Sequence, residues 1–547
     1  MRPVRYTDRL ISEYREKGYW ETPTMSELME RNAKLYPDKE ALVDSRVRLT
    51  FAQARLWMDR LALGLVESGM KRDEVLIVQL PNNMEQYLLR LATEKAGVIN
   101  IPIRRQLGST DTEELLRTSN AAGIIIPWKT RDRDHSREIQ DIRPTLPNLR
   151  NIYIVDNKVP AGAISIRQML ESELEKKYPA DLLGKRRFQK TEISWLGTTT
   201  GTTGVPKIIR YLAANRPTQG IGLAERLKLS SEDIIGLMSP AIVGPNIGAY
   251  FGAPVVGARV VMLENFEPED ALKLIEREKV TVLMGSPALL VMMVRHPNFD
   301  KYDHSSVRLI TGGGAPFEYA IAREVESKMA TTVIQFFGAT DCGVAFFPSP
   351  DDPQEIRLGT AGKPLLWGQV KIVDKDGQPV PQGEVGEILM TGPAASDGYW
   401  GDTATTKAVW TDDGWFRTGD LGKLDKFGNL IHVGRIKDII IRGGDNISPA
   451  EIEGILLRHP AVSSVAVVGM PDPVMGEKAC AFVELKPGQS LTFDEMVAFL
   501  KREGLGSYML PERLEIIDKM PISGEGKIYK RILVQQITEK LKAEGKI

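Results

Sequence analysis

The first half of the chain alternates between two patterns of apolar residues. From 51 to 65 they recur at helical spacing behind Thr50, which predicts a helix capped by that threonine. The largely apolar run 75–80 predicts a buried strand, and the amphipathic stretch 84–95 predicts the next helix. Strands buried on both faces and separated by helices predict α/β layers with largely parallel sheets.

The pattern changes in the second half. From about 356 to 434, short strands and tight turns such as Asp376-Gly377 predict a β-rich subdomain. After Gly434, helix starts with capping boxes at Ser448 and Thr492, and strands between them, predict a small separate unit. We therefore predict an α/β fold with a large N-terminal domain, 1–434, of layered α/β subdomains plus the β-rich subdomain. A small C-terminal α+β domain, 435–547, follows it.

The composition argues against several classes of protein. Lys plus Arg number 71 and Asp plus Glu 72, so a net charge of −1 gives no general reason to bind nucleic acid or an anionic membrane. The two cysteines, Cys342 and Cys480, exclude a disulfide scaffold and suit a reducing compartment. The first 17 residues lack a signal-peptide pattern, and the apolar region 241–263 is broken by prolines and glycines. We expect a cytoplasmic protein without membrane insertion.

The strongest chemical motif is the segment 195–207. Five threonines interleave with glycines there, and the segment ends in Pro206 and Lys207. Backbone N–H groups and hydroxyls in such a loop can surround phosphate oxygens, and the lysine adds positive charge. The segment is not a Walker A loop, because the lysine follows proline and the glycine spacing of that motif is absent. It predicts a phosphate-binding loop.

Further motifs follow at intervals along the chain. They are Thr-Gly-Gly-Gly-Ala-Pro at 311–316, Phe-Gly-Ala-Thr-Asp at 337–341, Trp-Phe-Arg-Thr-Gly-Asp at 415–420, Gly-Arg-Ile-Lys-Asp at 434–438 and a glycine-lysine pair at 526–527. Together with the loop 195–207 they resemble the adenylate-forming superfamily. That superfamily includes acyl-CoA synthetases, aryl-acid ligases, peptide-synthetase adenylation domains and firefly luciferase. The residues at 18–20 and 338–343 make the chain most similar to aryl- or alicyclic-carboxylate CoA ligases.

The resemblance implies an acid–thiol ligase that uses ATP, Mg²⁺ and coenzyme A. The acid would react with ATP to give an acyl-adenylate and pyrophosphate, and the thiol would then displace AMP. Lys527, Thr340 and Lys207 are the implied catalytic residues, and Asp341 is the implied Mg²⁺ ligand. The implied ATP-binding residues are Thr199, Thr200, Gly201, Thr202, Thr203, Gly204, Gly313, Gly314, Ala315, Pro316, Phe337, Gly338, Asp420 and Arg435.

The resemblance also implies a mobile C-terminal domain. Lys437 occupies the family's hinge position, and Arg442, Gly443 and Gly444 would meet the pantetheine of coenzyme A after the domain rotates. Two positions depart from the family pattern: Asp341 stands where Glu is usual, and Glu525 replaces a small polar residue before Gly526-Lys527. An aspartate keeps the oxygen ligand that Mg²⁺ needs, with a shorter reach.

The acyl pocket in the family is lined by residues after a proline, here Pro240. The implied pocket residues are Ala241, Val243, Gly244, Asn246, Gly312, Gly338, Gly343 and Val344. The usual aromatic-His pair is replaced by Ile242 and Val243. We expect a small-molecule carboxylic acid that is a compact aromatic, alicyclic or medium-chain acid.

Three alternatives stay open at this point. A stand-alone adenylating enzyme that loads a carrier protein would share every motif. A non-catalytic nucleotide-binding relative would have no need to keep Lys527. A luciferase-like oxygenase would also form an adenylate, although no residue points to oxygen chemistry. The oligomeric state is not readable from these patterns.

Overall fold

The computed structural model describes residues 4–130, 133–199, 207–239, 244–315, 317–522 and 528–547. Within them the chain forms two large, mostly parallel sheets of nine and seven strands, an antiparallel sheet of four strands, a five-stranded sheet near the C-terminus and a two-stranded ribbon. The predicted α/β architecture is confirmed.

The two large sheets form the centre of the N-terminal part. In spatial order, the nine-stranded sheet consists of Lys363–Pro364, Ala345–Phe347, Thr332–Gly338, Leu309–Gly313, Val282–Gly285, Ile234–Leu237, Arg259–Met262, Glu40–Val43 and Arg48–Thr50. The seven-stranded sheet consists of Ile208–Leu212, Ile193–Thr198, Ile99–Pro102, Val75–Val78, Gly123–Ile126, Asn151–Ile154 and Ile164–Ser165.

The smaller sheets come later in the chain. The four-stranded sheet is Gln369–Val373, Gly386–Thr391, Phe416–Leu424 and Leu430–Arg435. The five-stranded sheet is Asp445–Ile447, Ile440–Arg442, Gly476–Leu485 and Val462–Asp472, with Arg513–Ile516 paired to Gly476–Leu485. The ribbon is Lys129–Thr130 with Arg133–Asp134.

Helices cover both faces of the large sheets. Those of the first 435 residues are Asp8–Glu16, Met25–Leu35, Phe51–Glu67, Met84–Ala96, Ser109–Ser119, His135–Ile142, Ile166–Glu171, Leu174–Lys177, Leu182–Arg186, Asn215–Arg226, Ala253–Val256, Pro268–Glu278, Pro287–Val294, Tyr319–Met329, Gln354–Gly359 and Thr403–Val409. The later helices are Pro449–Leu456, Phe493–Arg502 and Lys530–Ala543. In the described part of the chain, no helix combines the length and apolar character that a membrane span requires.

The strand Val75–Val78 shows why strands of the large sheets appear in the sequence as continuous apolar runs. Val75 and Ile77 pack into one hydrophobic core, whereas Leu76 and Val78 pack into another on the opposite face. Alternate side chains of a strand point to opposite faces, so a strand between two cores must be apolar throughout. This burial explains the run from which the strand was predicted.

The predicted helix starts give two different outcomes. Thr50 and Thr492 each cap a helix through a capping box, as predicted. The capping box predicted at Ser448 is wrong. Pro449 does begin a helix, but the Ser448 side chain makes no cap hydrogen bond there. Its hydroxyl donates instead to the carbonyl of Val433 at 3.1 Å, which ties the C-terminal part to the four-stranded sheet.

Candidate active site

Three predicted motifs lie at the carboxyl ends of strands in the large sheets. The strand Ile193–Thr198 leads into the predicted phosphate loop, Leu309–Gly313 into the triple-glycine segment, and Thr332–Gly338 into the segment that carries Asp341. Ligands of open α/β sheets bind beyond the carboxyl ends of the strands. The topology therefore directs all three motifs towards the edge where such a fold binds its ligand.

The two ends of the predicted phosphate loop are hydrogen-bonded to each other. The Thr199 N–H donates to the Lys207 carbonyl at 3.0 Å, and the Lys207 N–H donates to Thr199 Oγ1 at 3.2 Å. The intervening predicted residues, Thr200, Gly201, Thr202, Thr203 and Gly204, lie outside the described part of the chain. Lys207 is exposed, and its Nζ lies 5.1 Å from the centre of the Tyr399 ring.

Asp341 is held next to this lysine. The Tyr399 hydroxyl donates a hydrogen bond to Asp341 Oδ2. Burial raises the pKa of Asp341, while the Tyr399 hydrogen bond and the Lys207 charge lower it in part. A half-buried carboxylate oxygen is the type of ligand that Mg²⁺ takes beside nucleotide phosphates, so Asp341 would be able to hold the ion. The residues present therefore fit the implied metal.

The backbone around Asp341 is fixed from two sides. Ser396 Oγ donates to the Asp341 carbonyl at 2.5 Å, and the Tyr211 hydroxyl donates to the carbonyl of Thr340. Sequence reasoning missed Tyr399, Ser396 and Tyr211. Tyr399 and Ser396 are more than 50 residues away along the chain, and no local pattern marks them as partners of Asp341.

Asp420 forms the second charged centre of the site. Its side chain is buried, and Arg435 Nε lies 3.1 Å from its Oδ1. Asp420 and Arg435 face each other in adjacent antiparallel strands of the four-stranded sheet. His432 Nε2 lies 3.7 Å from the same oxygen, and the His432 ring lies 5.3 Å from that of Phe337. A carboxylate beside an aromatic ring fits a ribose with its base.

The two charged centres belong to one site. Arg435 lowers the pKa of Asp341 in addition to pairing with Asp420, so its charge is within reach of both carboxylates. Phe337 and Asp341 are separated by only three residues along the chain. The structure thus brings together Lys207, Asp341, Asp420 and Arg435.

The triple-glycine segment is tightly packed. A Cβ atom on Gly312 would lie 2.3 Å from the Phe317 ring, and one on Gly313 would lie 2.5 Å from the Phe336 ring. Gly314 has a φ of +83°, a conformation that other residues rarely adopt. The glycines are therefore required by the packing of the segment itself. Ala315 follows them, and Pro316 lies outside the described residues.

Some of the predicted acyl-pocket residues belong to the described part of the chain, and others do not. Ala241 and Val243 lie outside the described residues. Gly244 and Asn246 form a 3₁₀ turn in which Asn246 is buried and donates to the Ser239 carbonyl at 2.8 Å. The carbonyl of Gly343 accepts from Gln219 Nε2 at 3.0 Å. Gly338 and Val344 adjoin each other, since a Cβ on Gly338 would lie 3.3 Å from the Val344 carbonyl oxygen.

The predicted coenzyme A segment contacts residues of the C-terminal part. Arg442 pairs with Glu512, and the Gly443 N–H donates to the Met475 carbonyl at 2.8 Å, both within the C-terminal part. Gly443 and Gly444 are exposed. Lys437 lies in the 3₁₀ turn Ile436–Asp438, immediately after the strand that ends at Arg435. Lys527 lies outside the described residues, so its predicted role stays a prediction.

Comparison with known proteins agrees with this geometry. Residues 29–400 match the sequence model of the family described as AMP-binding enzyme, and residues 451–527 match that of the AMP-binding enzyme C-terminal domain. A salicylyl-CoA synthase / salicylate adenylyltransferase of a Streptomyces species is 31% identical, over 97% of this chain and 96% of the relative. The mitochondrial medium-chain acyl-CoA ligase ACSF2 of Mus musculus is 30% identical, over 95% and 88%.

Solved structures share the fold over nearly the whole chain. The anthranilate CoA ligase AuaEII, determined in complex with anthranoyl-AMP, has a TM-score of 0.84 and 24% identity. The match covers 96% of this chain and 99% of that one. Ligases of this class use ATP, Mg²⁺ and coenzyme A, and they act on carboxylic acids. The chain therefore belongs to the AMP-binding enzyme family, as an AMP-forming acid–thiol ligase.

Proposed function

We propose that the acid is a compact aromatic, alicyclic or medium-chain carboxylate, and that coenzyme A is the thiol acceptor. The observation that carries the proposal is the convergence of Lys207, Asp341 and the Asp420–Arg435 pair on one edge of the fold. Cations beside carboxylates on this edge suit a nucleotide whose phosphates meet a carboxylate substrate.

The first step joins two anions. The carboxylate oxygen of the acid attacks the α-phosphorus of ATP, a P–O bond forms, and the bond to the pyrophosphate leaving group breaks. Negative charge develops on the phosphate oxygens, so nearby cations lower the barrier. In our proposal Lys207 neutralises the phosphates from the loop, Thr340 contacts the α-phosphate, and Asp341 holds Mg²⁺, which adds positive charge there. Lys527 contacts the reacting phosphate.

Asp420 and Phe337 would position the nucleoside. A carboxylate can accept hydrogen bonds from both ribose hydroxyls. Arg435 orients the Asp420 carboxylate through the 3.1 Å contact, and we assign its guanidinium to a phosphate or ribose oxygen of the nucleotide. The predicted ATP-binding residues of the loop and of the triple-glycine segment would enclose the phosphates and the adenine.

The second step needs the thiol to reach the adenylate. The thiolate sulfur attacks the acyl carbon, a C–S bond forms, and AMP leaves with the electrons of the broken C–O bond. Gly443 and Gly444 are exposed, and the half-buried Arg442 pairs with Glu512 of the C-terminal part. We propose that residues 435–547 rotate about Lys437 to bring this segment to residues 1–434 for thioester formation.

Relatives support the range of acids. Those named above act, by their names, on salicylate and on medium-chain acids, and a 2,3-dihydroxybenzoate-AMP ligase of Bacillus subtilis is 29% identical. The position of the usual pocket histidine is occupied here by Val243, which removes a hydrogen-bonding group from the predicted pocket. An acid that relies less on hydroxyl recognition therefore fits the sequence better.

The test is acid-dependent AMP release from ATP and Mg²⁺ across aromatic, alicyclic and fatty acids of increasing length. Each acid is assayed with and without coenzyme A. Turnover that requires coenzyme A, and a thioester identified by mass, would support the proposal. Acid-dependent exchange of pyrophosphate into ATP without coenzyme A turnover would favour loading of a carrier protein. Failure of every acid to release AMP would contradict the proposed acid class.

A further inference from the structure

A small cavity lies among the helices that pack against the strand Ile193–Thr198. Its volume is about 30 Å³, which is room for about two water molecules. It is enclosed by the helix Met84–Ala96, the strand Ile193–Thr198, the start of the helix Asn215–Arg226 and the π-helical turn Gly248–Gly252. Two arginines from different helices, Arg90 and Arg216, line it.

Both arginines rest on aromatic rings. The Arg216 guanidinium lies 3.6 Å from the centre of the Tyr211 ring, and that of Arg90 lies 3.9 Å from the Tyr250 ring. A cation over a ring is attracted to the face of the ring. The N–H groups, however, lie in the plane of the guanidinium, so this stacking does not supply the acceptors that they require.

Most of these donors lack an acceptor. Arg216 is 5% exposed, and its Nη1 donates to Gln219 Oε1 at 2.8 Å. Among the described residues, Arg216 Nε and Nη2, Arg90 Nη1 and Nη2, and Trp195 Nε1 are shielded from solvent and have no hydrogen-bond partner. Trp195 lines the same cavity. The Tyr250 and Tyr211 hydroxyls contribute favourable polar contacts to Arg90 and Arg216. Buried donors that still lack an acceptor are rare in folded proteins and are usually completed by ordered water or a bound ion.

The charges of Arg90 and Arg216 also favour a bound anion. Burial lowers the pKa of Arg90 to about 10 and also lowers that of Arg216. An arginine guanidinium stays protonated in proteins, so the cavity is lined by two positive charges. Glu94 lines the cavity, but its carboxylate accepts the Ser26 N–H at 2.8 Å. Within the described ranges it forms no ion pair with either arginine. Two like charges without a counter-ion are costly in the interior, so an anion between them would be strongly favoured.

We propose that Arg90, Arg216 and Trp195 form a binding site for one small anionic group, such as a carboxylate or an inorganic monoanion. The site adjoins the reaction centre through Gln219, which accepts from Arg216 Nη1 and donates to the carbonyl of Gly343 at 3.0 Å. Gly343 belongs to the predicted acyl pocket. An anion in the cavity would therefore fix Gln219 and the wall of that pocket.

The anionic group has two possible sources. It is either a free anion, which completes the fold of the pocket wall, or a second carboxylate at the far end of the acid substrate. The substrate source rests on the proposed ligase function, whereas the free-anion source does not. The two sources are separated by measuring anion binding without ATP, acid or coenzyme A.

The first arm measures anion binding in the absence of ATP, acid and coenzyme A. Crystals soaked in bromide should show anomalous density between the Arg90 and Arg216 side chains. In solution at constant ionic strength, nitrate should shift the melting temperature of the wild type upwards relative to the shift that it causes in variants without the arginines. Arg216→Met and Arg90→Met should lose the nitrate effect. Arg117→Met, which removes the same charge from an exposed arginine paired with Glu113, should retain it.

The second arm compares acids. Each aromatic or aliphatic monocarboxylate is paired with a dicarboxylate of equal length in the AMP-release assay. A substrate source predicts that the dicarboxylate has the higher kcat/KM, by about tenfold or more, and that Arg216→Met abolishes the preference. Arg216→Lys keeps the charge without the planar fork, so it tests the geometry in a variant that retains a buried cation.

The outcomes are distinct. Bromide density and a nitrate effect that depends on the arginines would support the site with a free anion. A dicarboxylate preference that depends on Arg216 would support it with the substrate. Absence of both in the wild-type protein would overturn the proposal. If no acid is activated but bromide and nitrate bind, the proposed acid class fails and the anion site stands.

Discussion

The hydroxyl of Tyr399 donates a hydrogen bond to the Asp341 carboxylate, and the Tyr399 ring lies under the Lys207 ammonium. The tyrosine thus joins the predicted phosphate lysine to the predicted Mg²⁺ ligand. The hydrogen bond to Oδ2 fixes the orientation of the Asp341 carboxylate, and therefore also the direction in which Oδ1 points. Tyr399 is accordingly a positioning residue for the metal site.

Replacing Tyr399 by phenylalanine removes this hydrogen bond and keeps the ring. We expect Tyr399→Phe to raise the Mg²⁺ concentration needed for half-maximal adenylate formation by about tenfold, the effect of one hydrogen bond to a charged group. The measurement is acid-dependent pyrophosphate exchange as a function of Mg²⁺. Tyr153→Phe is the control, because Tyr153 lies in the strand Asn151–Ile154 and its hydroxyl is hydrogen-bonded to Ser68 after the helix Phe51–Glu67. Equal Mg²⁺ requirements in both variants would contradict this role.

Removal of the Asp420 carboxylate should weaken nucleotide binding. Asp420→Ala is expected to raise the KM for ATP by about ten- to a hundredfold, because the ribose hydroxyls lose a carboxylate acceptor and Arg435 loses the contact with Asp420. The KM for the acid should change little. Asp413→Ala, at an exposed aspartate of the same sheet region, serves as the control. An unchanged ATP requirement in Asp420→Ala would exclude the ribose assignment.

The elements of the fold could be predicted where a local period determined them. The helix behind Thr50 and the strand at 75–80 follow directly from apolar spacing, because burial of one helix face or of both strand faces selects those residues. Contacts between distant segments could not be predicted in this way. The pairing of Asp420 with Arg435 depends on strand register, and that of Tyr399 with Asp341 on how two sheets meet. The capping box predicted at Ser448 does not form, because the Ser448 hydroxyl donates to the carbonyl of Val433 in the four-stranded sheet.

Asp397 connects the N-terminal segment to the site. Its fully buried carboxylate accepts the N–H groups of Val4 and Arg5 at 2.9 and 2.8 Å, and Arg210 Nη2 lies 3.2 Å away. Asp397→Ala should lower the free energy of unfolding by about 3–5 kcal/mol, because the buried Arg210 loses this carboxylate and the Val4 and Arg5 N–H groups lose their acceptor. Chemical denaturation measures the loss, and Asp376→Ala at an exposed turn is the control. A change within about 0.5 kcal/mol would contradict this structural role.

The contact between Glu318 and the C-terminal part should depend on pH. Burial and the nearby Glu453 raise the pKa of Glu318, and Arg458 opposes them. A Cβ on Gly454 would lie 3.3 Å from the Glu318 carboxylate, so the group adjoins the helix Pro449–Leu456. Because the folded pKa is raised, its stabilising contribution is present below the ordinary glutamate pKa and is lost as the pH rises through the folded value.

Glu318→Gln should therefore raise the melting temperature at neutral pH relative to wild type. The difference should shrink as the pH falls into the range where Glu318 is protonated in the folded protein. Differential scanning calorimetry between pH 4 and 8 measures it, with Glu355→Gln as a charge-matched control whose pH profile should follow the wild type. A difference that is constant over this range would show that ionisation of Glu318 is not its source.

Lys527 is predicted to act in adenylate formation and not in thioester formation. In the adenylation step it would neutralise charge that develops on the reacting phosphate, whereas thioester formation from a finished adenylate needs no such charge. Lys527→Ala should therefore lower the rate of adenylate formation by about 10²–10³-fold, the usual cost of removing one group that stabilises transition-state charge. The rate of thioester formation from supplied acyl-AMP and coenzyme A should remain within about twofold of wild type. Lys519→Ala, at an exposed lysine shortly before the same segment, should leave both rates unchanged. Equal loss of both half-reactions in Lys527→Ala would mean that the residue supports the fold or the domain arrangement, and that the adenylation charge is supplied by Lys207 and Mg²⁺.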